Sequence, residues 1–221
     1  MITIINPSKV TRQAFFKELI NYLDRHEDVT LRQIKQAFAD EKNLDRQLES
    51  YIEAGYIVRE NRRYRNGFTL LDSVEGLELG QEVFVETESP VFEALTSVLF
   101  TCQTANQTNA VIIEETVDFL REKNTLDSYF HKMRTQEPLS VEQEKLYAIL
   151  GDVNPDYALK YMTTFLLKFA RKDKVLQRRT DIFVLALQEL GFIEQVEEHS
   201  YRLTMQLDKE KLLFTKKDEF V

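Results

Sequence analysis

Cysteine occurs once, at Cys102, so the chain has neither an internal disulfide nor a multi-cysteine metal site of its own. Cysteine this sparse suits a reducing cytoplasm. Six glycines and four prolines in 221 residues argue for few long loops. No apolar run reads as a bilayer span either. The uncharged stretch 94–113, "ALTSVLFTCQTANQTNAVII", has 20 residues, but its centre is mostly Gln, Asn and Thr. A span needs about 20 predominantly apolar residues. The opening "MITIINPSKVTRQAFF" has no positively charged leader ahead of an apolar run, so no signal peptide is expected.

Motifs that carry chemistry are missing as well. There is no GxxxxGK phosphate loop, no GxGxxG and no GxSxG. His26, His131 and His199 stand far apart in sequence, and each reads as structural or solvent-facing rather than as a ligand. Cys102 has no neighbouring positive charge to lower its pKa, so it reads as a buried or incidental thiol. Glu114 with Glu115 and Glu197 with Glu198 are adjacent pairs, which helix or strand geometry points apart. The expectation is a non-enzymatic protein with no cofactor and no metal.

What is present points to a folded protein of one or two domains: 43% of residues are apolar and 30% charged. Helical spacing outweighs strand alternation, so the expected fold class is α+β, mostly α. The formal net charge of −8 is unevenly distributed. Residues 1–70 carry 12 basic and 10 acidic side chains, residues 71–153 carry 5 and 16, and residues 154–221 carry 12 and 11. The whole-molecule field therefore opposes non-specific binding to polyanions. The charge pattern suggests three regions, at 1–72, 73–153 and 154–221.

Along the chain, "MITIIN" predicts a short strand. Phe15, Phe16, Leu19, Ile20, Tyr22 and Leu23 form the apolar stripe of a first helix. Thr30 with Gln33 forms a capping box that opens a second helix carrying Leu31, Ile34, Ala37 and Phe38. Asn43 is positioned to cap a third, with Leu44, Leu48, Tyr51 and Ile52 inward, and Gly55 closes it. A hairpin follows, "YIVRE" then "NGFTLL", with its register open because both "NRR" and Asn66-Gly67 can turn. Three helices, a glycine and a hairpin make a winged helix-turn-helix plan, with the third helix in the recognition position.

From Leu71 the chain reads as an acidic linker with a strand near Glu82–Val85, then a helix at 91–100 and a loop or hairpin. "IEETVDFLREKNTLDSYFHKMR" reads as a long helical segment, Ser140 with Gln143 caps another, and Asn154-Pro155 opens an apolar helix. Tyr157, Tyr161, Phe165, Leu166 and Phe169 make residues 155–170 a candidate shared core or homodimer face, core being the more common outcome. "IEAGYI" at 52–57 is echoed by "QELGFI" at 188–193, each followed by a polar turn and a Tyr-Arg pair, so a second winged-helix-like unit is expected near the carboxyl end. The second hairpin is one residue longer from Gly to Tyr.

With "INPSKVTRQAFFKELINYL", "LRQIKQAF" and "RQLESYIEAGYIVRENRRYR" in view, the chain resembles an uncharacterised bacterial family, the domain of unknown function number 1803, found mainly in low-GC Gram-positive bacteria. The resemblance extends over most of the chain. It implies a cytoplasmic bacterial origin, and because the family has no established activity it transfers no catalytic or binding residue.

The candidate site is "ENRRYRNG". Arg59, Arg62, Arg63 and Arg65 are expected to neutralise phosphates, with Tyr64 stacking or anchoring. The alternative is a solvated hairpin whose arginines pair with Glu60, Glu53 or the acidic middle. Arg46 can read base edges, but Asp45, Glu49 and Glu53 give the third helix a net charge of −2, so the wing should dominate any DNA contact. In the second unit Arg178 and Arg179 are the candidate phosphate contacts, and internal ion pairing is the competing reading. The expected partner is duplex DNA or another protein, without a membrane.

Overall fold

Alternation in "ITII" forms strand β1 (Ile2–Ile5), and the aromatic stripe forms helix α1 (Ala14–Arg25) with Phe15, Phe16, Leu19, Ile20 and Leu23 buried. This computed structural model describes residues 1–216. After α1 come strand β2 (Val29–Thr30), helix α2 (Leu31–Ala37), helix α3 (Leu44–Glu53) and the hairpin β3 (Ile57–Glu60) and β4 (Arg63–Asn66). Strand β5 (Val83–Glu86) and helix α4 (Pro90–Leu95) complete the first of two compact units, Met1–Val98. β2 pairs with β4 as well as β3 does, giving the sheet order β2-β4-β3. The acidic stretch 73–153 is divided between the units, and β5 within it pairs antiparallel with β1.

Aromatic contacts organise the first core. Phe16 meets Tyr51 edge-on at 4.9 Å and Tyr56 at 5.3 Å, and Phe68 stacks on Phe84 at 3.7 Å. Glu82 ties the β5 end to the helices, accepting from Tyr56 Oη at 2.7 Å, from the Ser8 N–H at 2.8 Å and from the Thr11 hydroxyl. Burial pushes the Glu82 carboxyl up, but these donors outweigh it and hold the pKa below its ordinary value.

The Thr30–Gln33 capping box is present, with the Gln33 N–H donating to Thr30 Oγ1 at 3.3 Å and the Thr30 N–H donating to Gln33 Oε1 at 2.8 Å. Thr30→Ala is expected to cost about 1 kcal/mol. Urea titration reads this as a lower midpoint at unchanged slope, and an unmoved midpoint would show that the box contributes nothing. Asn43 does hold the position before α3, but in a left-handed conformation (φ 59°) and without a side-chain capping bond. There its small polar side chain tolerates the backbone rather than satisfying a donor.

The second unit begins with strands β6 (Leu99–Ala105) and β7 (Ile112–Asp118), then helices α5 (Leu126–Thr135), α6 (Val141–Leu150) and α7 (Pro155–Leu166). A 3-10 turn (Leu167–Ala170), strand β8 (Lys174–Leu176) and helix α8 (Ile182–Glu189) follow. The chain continues through β9 (Ile193–Glu197), β10 (Ser200–Leu203), β11 (Gln206–Asp208) and β12 (Leu213–Thr215). Helix makes up 37% and strand 23%, so the protein is mixed α and β, with helix ahead by less than the sequence pattern suggests.

Two expected helices are corrected. Residues 113–118 are strand, and the expected helix at 91–100 ends at Leu95, with β6 starting at Leu99. Ile113, Glu115 and Val117 face inward at period two, and β7 pairs with β6 on one side and, in parallel, with β12 on the other. A partner about 100 residues away overrides the helical reading of this β-branched run. The Gln/Asn/Thr stretch is the β6–β7 hairpin, whose Asn106 and Asn109 both donate to Thr163 Oγ1 on α7.

The echo between the two ends is structural. The sheet β8-β10-β9 has the same order as β2-β4-β3, and Val175 pairs with Tyr201 as Val29 pairs with Tyr64. Gly191 (φ 69°) closes α8 as Gly55 (φ 82°) closes α3, each permitting the left-handed backbone that ends a helix. The extra residue of the second hairpin is absorbed by a register shift between Ser200 and Tyr201, a bulge that keeps the tyrosine inward.

Candidate nucleic-acid interface

The hairpin turns at Asn61 and Arg62, both left-handed (φ 49° and 65°), which fits the two-residue turn that matches strand twist. Asn66-Gly67 is therefore not the tip. Register places Glu60 opposite Arg63 and Val58 opposite Arg65 on the outer face, and Arg59 opposite Tyr64 on the inner face. Tyr64 is 6% exposed and packs into the first core.

The four arginines divide. Arg63 and Arg65 stand on the outer face, where Arg63 Nη1 donates to the Asp28 carbonyl at 3.2 Å and Arg65 lies 3.8 Å from Glu60. Arg59 turns toward α3, where the Tyr64 hydroxyl and then the Glu49 carboxylate hold its guanidinium and raise its pKa. Arg62 is exposed at the tip and, among the described residues, its side chain has no ion pair or hydrogen bond. Arg32, Arg59 and Arg62 line one cleft of about 440 Å³ with Thr30, Leu31 and Tyr64. Sequence reasoning missed Arg32. It lies at the start of α2, and only the β2–β4 pairing brings that turn beside the hairpin.

On α3, Arg46 is exposed. Two of the helix's carboxylates are engaged by bases from neighbouring elements: Lys35 donates to Asp45 at 2.7 Å, and Arg59 pairs with Glu49. Pairing softens the electrostatic objection to this helix, although Glu53 remains exposed. From α2 through the hairpin, residues 31–66 carry 8 basic and 6 acidic side chains, a small local excess of cations. Residues 1–98 as a whole carry 12 basic and 17 acidic side chains.

Arg178 and Arg179 lie in the exposed bend before α8, within the second unit. The carboxylates of the second hairpin are engaged within their own sheet, Glu197 by Lys174 at 2.6 Å and Glu194 by Arg202. The three histidines occupy separate elements. His26 stacks on Tyr22, His131 is on α5, and His199 is in the β9–β10 turn. Burial, then the Asp127 charge, pushes the Cys102 thiol up to about 11, so it stays protonated near neutrality.

A further cleft of about 500 Å³ lies between β1 and α1, floored by Ile2, Ile4 and Phe38 and rimmed by Lys17, Arg25 and His26. Asn21, which also lines it, is engaged by both the N–H and the carbonyl of Ile2, and His26 Nδ1 by the Tyr22 carbonyl. Among the described residues no helix is long and apolar enough to cross a membrane.

Residues 2–98 match a family described as "Domain of unknown function (DUF1803)". The matched span ends at the residue where the first unit ends, and is shorter than the most-of-the-chain extent expected from sequence. No curated protein and no solved structure matches the chain.

Proposed function

We propose that the first unit, whose residues 2–98 match a family description that assigns no activity, is a winged helix that docks on duplex DNA through its arginine hairpin. Its role on this reading is non-enzymatic, regulatory or accessory, in the cytoplasm. The order α1–β2–α2–α3–β3–β4 with β2 paired to β4 supports the winged-helix assignment, and α3 then takes the recognition position. The second unit repeats the end of that order but has no helix between β8 and α8, so it is winged-helix-like.

One observation carries the DNA reading. Arg62 occupies a left-handed position that suits Gly or Asn, at a backbone cost of about 1 kcal/mol, while among the described residues its side chain has no ion pair or hydrogen bond. Strain retained without a local return is characteristic of functional positions. A guanidinium at a hairpin tip presents a planar fork to a phosphate. Arg62 and Arg63 are expected to contribute most, with Arg32 and Arg59 lining the adjacent cleft and α3 adding little.

The test is duplex binding as a function of salt. Arg62→Ala with Arg63→Ala is expected to weaken binding and reduce the log–log salt slope by about 2. Arg62→Gly separates function from fold, because it relieves the backbone and should keep or raise stability while still weakening binding. Absence of any duplex binding at low salt ends this reading. It would promote a protein–protein adaptor, the alternative favoured by the acidic excess of residues 1–98 and by the exposed Glu53 on α3.

A further inference from the structure

We propose that the exposed outer side of α8 is a two-fold interface between two copies of this chain. Helix α8, "IFVLALQE", is apolar on nearly every side. Val184, Ala186 and Leu187 bury its inner face in the core, yet Ile182 and Leu185 remain 38% and 43% exposed on the other. A helix that is apolar all round is characteristically buried, so its outer side lacks a cover.

A second group of exposed aromatic side chains lies on α7. Tyr157 and Tyr161 are 52% and 41% exposed, whereas Phe165, Leu166 and Phe169 further along are buried. The tyrosines therefore do not serve the core as the sequence pattern suggests. Tyr161 stacks on Phe183 with centroids 5.1 Å apart and planes 12° apart, and Tyr157 lies 4.6 Å from Tyr161 and 5.9 Å from Phe183. The result is an aromatic cluster at the first turn of α8, on the side of that helix away from Leu185, since positions 183 and 185 stand about 200° apart around it. Patches of this kind, apolar and rimmed by charge, mark interaction surfaces, and Tyr and Phe are enriched there.

Charge placement selects the occupant. Arg178 and Arg179 precede the amino end of α8, and Glu189 sits at its carboxyl end. All three are exposed, and among the described residues none has an ion pair or hydrogen bond to its charged group. A two-fold axis across α8 sets the helix antiparallel to its counterpart. The unpaired arginines of each copy then approach Glu189 of the other, twice over, and Leu185 near the helix middle meets Leu185. A nucleic acid on the same face would meet an apolar helix with two arginines and the capping carboxylate of Asp181 at one end and Glu189 at the other, which suits a polyanion poorly.

Sedimentation of the full chain over a concentration series tests this, with a species of twice the 26.1 kDa chain mass expected. Leu185→Asp, on an exposed position that leaves the fold intact, should raise the dimer dissociation constant at least about tenfold. Glu189→Arg alone, and Arg178→Glu with Arg179→Glu alone, should each weaken the dimer, while the triple variant restores it by swapping the charges. In a Cys102→Ser background, Leu185→Cys should form an oxidised cross-linked dimer through its own symmetry mate. A chain monomeric at all concentrations, a dimer indifferent to Leu185→Asp, or a charge swap without rescue would each overturn the proposal. Circular dichroism of each variant confirms that the fold is retained.

Discussion

Glu115→Gln is expected to abolish a loss of stability that the natural chain suffers as pH rises from about 5 to about 8. Glu115 is 2% exposed on β7 and accepts the N–H groups of Leu126 at 3.1 Å and Asp127 at 3.2 Å, at the start of α5. Burial pushes its carboxyl up to about 7, outweighing those two donors. The folded state therefore holds the proton more tightly than the unfolded state does. The stabilisation from that proton is complete below the unfolded value of 4.5 and disappears as pH rises through about 7. A shift of this size corresponds to about 3 kcal/mol.

Glutamine stays neutral throughout, so this linkage disappears. Its amide NH₂ faces a backbone donor, so at pH 5 the variant should be less stable than the natural chain by about 1–2 kcal/mol. The expected signature is a stability difference between the two chains that shrinks or reverses from pH 5 to pH 8. Urea titrations at several pH values measure it, and His131, whose pKa burial lowers, titrates in both chains and cancels. A difference that does not change with pH would show that Glu115 is ionised in the folded state.

Gly67→Ala is expected to be the most damaging small substitution in the first unit, at about 2–3 kcal/mol. A Cβ at Gly67 would stand 2.5 Å from the Gly55 carbonyl oxygen, 3.0 Å from Val58 Cγ2 and 3.4 Å from the Tyr56 carbonyl carbon. The Gly67 N–H also donates to the Tyr56 carbonyl at 2.8 Å. The nearest obstructing atom is the Gly55 carbonyl oxygen, backbone at the junction of α3 and β3 beside the buried Ile57, so it cannot swing away as a side-chain end could. Either the hydrogen bond lengthens or the helix end shifts. A change below about 0.5 kcal/mol in the urea titration would show that the junction yields.

Gly67 also illustrates what a sequence conceals. Asn66-Gly67 carries a turn signal, yet the turn is made by Asn61 and Arg62, and Gly67 is small because another strand of backbone passes against it. Gly55 was legible for the opposite reason: a glycine directly after an apolar helical stripe closes the helix from local geometry alone. The same contrast separates 141–150, where a capping box and a 3.6-residue pattern both point to helix, from 113–118, where a remote partner decides for strand. In the candidate site, the cluster Arg59, Arg62, Arg63 and Arg65 was evident as composition. Its division between two faces of the hairpin, and the company of Arg32, were not.

Read alone, the residues determined the local elements: stripes at helical spacing, two capping boxes, the glycines that end α3 and α8, and the hairpins that follow them. Those features depend on interactions within a few residues, which spacing and side-chain chemistry express directly. Tertiary structure decided which strands pair, which carboxylate is sealed from water at Glu115, and which arginine stands at the hairpin tip with no ion pair or hydrogen bond among the described residues. Each depends on groups far apart in the chain, whose proximity arises only when burial of apolar surface brings them together.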